Sequence, residues 1–106
     1  MSVSSTAMHV VLPTDVSAFA AEHGVADYVC PVLEMARRIF PDRPITPRVE
    51  EDAEISEERY IAMQVDVSGL DEHQLFAAQQ QWSAGIFQQC PAVHVHLFSL
   101  GMWASR

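Results

Sequence analysis

The residues best equipped for metal chemistry lie in "CPAVHVHLFSL", where Cys90, His94 and His96 fall within seven positions. Thiolate and imidazole are the ordinary ligands of zinc, and residues two apart on a strand point the same way. If this stretch is a strand, His94 and His96 face one ion together. A zinc site takes about three or four ligands, and spacing leaves the third open. Cys90 at the preceding helix end, or His9 in "MHVVLP", are the candidates. The pair therefore reads first as two surface histidines on a sheet face, with metal binding at His94 and His96 as the alternative.

A second cluster is acidic. In "EEDAEISEE" carboxylates stand at positions 50, 51, 52, 54, 57 and 58. A calcium loop of the EF-hand type needs acids at alternating positions and a central glycine, and that glycine is absent. The stretch is expected to be a solvated hairpin tip, whose like charges discourage edge-to-edge pairing.

Composition excludes several functions. All six basic residues are arginine and the net charge is −8, which opposes binding to nucleic acid or to anionic membranes. Without lysine there is no phosphate loop of the Walker type and no Schiff base. None of the glycine-rich, serine-nucleophile or zinc-protease motifs occurs. No cofactor is expected, and the chain leans away from enzymes. No apolar run approaches the length that crosses a bilayer, and no secretory leader is expected because the first basic residue is Arg37. Two cysteines, Cys30 and Cys90, are too few for a disulfide scaffold, so a reducing, cytoplasmic setting is expected.

The 106 residues read as a single α+β domain, with residues 1–6 expected to be disordered. The clearest strand is "RYIAMQVDV", where Ile61, Met63, Val65 and Val67 alternate with Tyr60, Ala62, Gln64 and Asp66. Its partner is "ITPRVEE", an edge strand because Pro47 has no N–H to donate. "YVCPVLEMARRIF" carries an apolar stripe at helical spacing, with Pro31 in its first turn. Glu34 and Arg38 form an i,i+4 pair there, and Arg37 and Arg38 complement the dipole in the last turn. "TDVSAFAAEHG" reads as a short helix capped by Thr14 or Asp15 and ended by Gly24.

The second long helix is expected after Ser68 and Gly69, with Asp71 and Glu72 in its first turn. Leu75, Ala78, Trp82 and Ile86 share one line on it, with Phe76 and Phe87 along the flank of that line. Its other arc, including Gln74, Gln81 and Gln88, is polar, yet no Asp, Glu, Lys or Arg occurs from His73 to Cys90. Interfaces deplete charge at their centres, so this arc is the candidate contact surface. Beyond it, Val93, Val95 and Leu97 are expected inward on a closing strand.

These elements predict a two-layer sandwich of a small antiparallel or mixed sheet with helices on one face. If residues 7–12 form a strand, the order is the ferredoxin-like βαββαβ. The leading functional expectation is a cytoplasmic, non-enzymatic interaction module that forms a homo-oligomer, most simply a dimer. The alternative is a small-molecule-binding or cofactor-independent enzyme domain, with Tyr60 and Trp82 lining a pocket between helix and sheet.

Overall fold

The computed structural model describes residues 12–52, 54 and 58–104. The expected first strand at 7–12 lies almost wholly outside the described residues, as do His9, Glu57 and the expected disorder at 1–6. Among the described residues three helices, one 3₁₀ helix and three strands follow in the order α1 (Thr14–Glu22), α2 (Ala26–Ile39), β1 (Ile45–Glu51), β2 (Arg59–Asp66), α3 (Glu72–Gln89), the 3₁₀ helix (Ala92–Leu97) and β3 (Phe98–Trp103).

The sheet is mixed. β1 pairs antiparallel with β2, from Ile45 opposite Val65 to Glu51 opposite Arg59. β2 pairs parallel with β3, from Ile61 opposite Phe98 to Asp66 opposite Trp103. Among the described residues β1 is thus an edge strand, where a proline such as Pro47 is tolerated. A parallel neighbour demands a long crossover, and α3 with the 3₁₀ helix supplies it. The α+β class stands, but the ferredoxin-like order is not shown: among the described residues both leading helices precede every strand. A split βαβ also keeps a strand between its parallel members, whereas β2 and β3 bond directly.

One face of the sheet builds the core. Ile45, Val65 and Met102 align across it, then Pro47, Met63 and Leu100, then Val49, Ile61 and Phe98. Ile61, Met63 and Val65 are fully buried and share one cluster with Val16 and Phe19 of α1, Val29, Val32, Leu33 and Ala36 of α2, and Ala78, Trp82 and Ile86 of α3. The opposite row, including Thr46, Arg48, Tyr60 and Gln64, is exposed or half-buried, with small Ala62 buried between longer neighbours. On that row Gln64 Nε2 donates to Glu50 Oε2 at 3.1 Å, and the Arg48 Nε lies 3.8 Å from the same oxygen.

Several helix ends differ from expectation. Pro13 is the N-cap of α1 and no side chain caps it, so Thr14 and Asp15 lie inside the first turn. Gly24 does end the helix: its φ is 71°, and the Val25 N–H reaches the Ala20 carbonyl at 2.8 Å in a Schellman closure. α2 starts at Ala26, which places Pro31 beyond the first turn, and Glu34 pairs with Arg37 at 3.1 Å rather than with Arg38.

Candidate functional site

α3 owes its start to a reciprocal capping box. The Gln74 N–H donates to Asp71 Oδ1 at 2.8 Å, and the Asp71 N–H donates to Gln74 Oε1 at 2.9 Å. The turn before it is held by Asp66, whose carboxylate accepts from the Ser68 N–H at 2.9 Å and the Ser68 hydroxyl at 2.6 Å. Arg43 Nη1 donates to the Asp66 carbonyl at 2.6 Å and ties the end of β2 to the loop after α2.

The inward line of α3 is as expected. Ala78, Trp82 and Ile86 are buried, Leu75 is half-buried, and Trp82 is only 7% exposed. Gly85 lets α2 approach, since a Cβ there would stand 2.6 Å from the Met35 sulfur. The flank is a correction. Phe76 is 65% exposed and Phe87 is 61% exposed, so both turn to the surface instead of extending the core. At 100° per residue they lie on one outward line with Gln80 and Ser83, about 100–160° around the helix from Trp82.

Of the three glutamines expected at the contact surface, Gln74 is engaged in the capping box. Gln74 and Gln81 also border a cleft of about 260 Å³ between the end of α2 and the start of α3, with Phe40, Arg43 and Leu70. Gln88 is exposed, at least about 100° around the helix from Phe76 and Phe87. The charged side chains of the cleft are Asp42 and Arg43, and the Arg43 guanidinium is already bonded to the Asp66 carbonyl.

Tyr60 and Trp82 do not come together. Strand alternation sends Tyr60 to the face opposite Ile61 and Met63, while Trp82 joins the core on their side. The two side chains therefore do not line one pocket between helix and sheet.

The histidine stretch is the larger correction. Residues 92–97 form a 3₁₀ helix, and the strand begins only at Phe98. With about three residues per turn, positions two apart stand roughly 120° apart around the helix instead of sharing a face. His94 is half-buried with its ring centroid 6.0 Å from that of Tyr28, while His96 is exposed. Val93, expected inward, is 70% exposed, and Phe98 is buried. Cys90 is buried with its Sγ 3.6 Å from the Pro91 carbonyl, and burial pushes its thiol above the usual range. Among the described residues no three His, Cys, Asp or Glu side chains gather as metal ligands, and no helix is long and apolar enough to cross a membrane. The chain matches no protein-family model, no curated protein and no solved structure.

A signal in the sequence pointed to the exposed phenylalanines. The charge-free stretch does not end at Cys90: no Asp, Glu, Lys or Arg occurs from His73 through Ala104, and all fourteen acids precede His73. Every large apolar side chain exposed among the described residues, Phe76, Phe87, Val93 and Trp103, lies within that stretch.

Proposed function

We propose that the protein is a cytoplasmic interaction module that associates with a second copy of itself through the outward face of α3. The observation that carries this reading is the coincidence of two exposed phenylalanines with a helix face free of charge. Interface centres are enriched in aromatics and depleted of charge, whereas a solvated helix face ordinarily carries both signs of charge. A chain of net charge −8 repels its own copy through most of its surface, and the charge-free face is where that repulsion is least. The two unbridged thiols favour a reducing compartment.

Sedimentation velocity over a dilution series tests the reading. The wild type is expected to dimerise in the micromolar range. Phe76→Glu should weaken the dimer most, and Gln81→Glu with Gln88→Glu should weaken it less, because those residues lie about 110–130° around the helix from the Phe76–Phe87 line. A wild type that remains monomeric at high micromolar concentration rules the module out.

A further inference from the structure

We infer that the two copies join by antiparallel pairing of α3 with α3, so that Phe76 of each chain packs on Phe87 of the partner subunit. The inference rests on the self-association reading above and specifies its geometry.

Phe76, Gln80, Ser83 and Phe87 stand four, three and four residues apart. This is the spacing of a coiled-coil seam, and here it runs along the helix face turned away from the core. The spacing is the same read in either direction. An antiparallel copy therefore sets a phenylalanine opposite a phenylalanine at both ends, and Gln80 opposite Ser83 at the centre. A two-fold axis between positions 81 and 82 generates both contacts, as an isologous interface requires. Parallel pairing would also stack like on like, but it would bring the Asp71 and Glu72 carboxylates of both chains together at one end. Antiparallel pairing separates these two acids of one chain from those of the other by the length of the helix, about 27 Å for the 18 residues of α3. Ala77 and Ala84 beside the seam are small and exposed, which permits close approach of a second helix.

A mixing experiment reads the orientation. Phe76→Glu and Phe87→Lys, both at exposed positions, should each weaken the homodimer by about tenfold or more. In an equimolar mixture of the two variants, antiparallel pairing sets the introduced carboxylate of one chain against the introduced ammonium of the other at one end. At the other end it keeps one phenylalanine pair intact. The mixture should recover a heterodimer at concentrations where neither variant dimerises alone. Pulsed electron-spin distances give a second measurement, on a Cys30→Ser background with a nitroxide placed by His73→Cys. Antiparallel helices predict a separation of about 25–30 Å, and parallel ones about 10 Å. A dimeric wild type whose variants do not complement, with a short distance at position 73, overturns the orientation and leaves self-association standing. A monomeric wild type overturns both.

Discussion

α2 and α3 pack against one another, yet they use their surfaces differently. α2 has 14 residues, buries five of them and keeps an arginine pair in its last turn. α3 has 18 residues, buries only three and carries no charge after Glu72. A helix whose only task is to cover a sheet does best with one apolar stripe and a charged outer face. α2 follows that pattern. α3 has a second apolar line, bearing Phe76 and Phe87, on the side that the core does not need. The contrast separates residues that hold the fold from residues that are available to a partner.

The comparison is sharpened most by the core of α3. Trp82→Ala should cost about 3–5 kcal/mol, and Leu33→Ala on the inward face of α2 about 2–5 kcal/mol, measured by urea denaturation. Phe76→Ala should leave the stability of the monomer within about 0.5 kcal/mol while weakening association. If Phe76→Ala destabilised the monomer as much as Trp82→Ala, the two sides of α3 would not be functionally distinct.

Next in size is the start of α3. Asp71→Ala removes one half of the capping box and should cost about 1 kcal/mol, whereas α1, which has no side-chain cap, should lose far less when Thr14 is replaced by Ala. Smaller still is the solvated pair on α2. Glu34 and Arg37 are both largely exposed, so Glu34→Ala should change stability by only a few tenths of a kcal/mol, with the effect fading in high salt.

The smallest effect concerns the thiols. Burial raises the Cys90 pKa, so the unfolded chain gives up this proton at lower pH than the folded one. The contribution is complete below the ordinary thiol range and declines as pH rises through that range toward the raised folded value. A Cys90→Ala variant should show a flatter alkaline stability profile. In the native wild type, exposed Cys30 should alkylate first and Cys90 only slowly.

Both strands of the hairpin were legible in the sequence because alternation at Ile61, Met63 and Val65 survives wherever one sheet face is buried. Trp82 was legible for the same reason, as its line with Ala78 and Ile86 repeats at helical spacing. The stretch at 92–97 was not. Val93, Val95 and Leu97 alternate like a strand, but α3 ends at Gln89 and the chain must descend before it can join β2 in parallel register. The link from α3 to β3 is a 3₁₀ helix, and alternation of apolar residues alone does not tell it from a strand. That same difference separates His94 from His96.

By itself, then, the sequence determined the apolar periodicities, the segregation of every acid ahead of His73, and the absence of charge from His73 through Ala104, because these are properties of residue order alone. Only the tertiary structure decided which strands are neighbours and which side of α3 is left over. Phe76 and Phe87 are as apolar as the residues that were buried. What distinguishes them is that α2 and the sheet had already filled the opposite side of the helix.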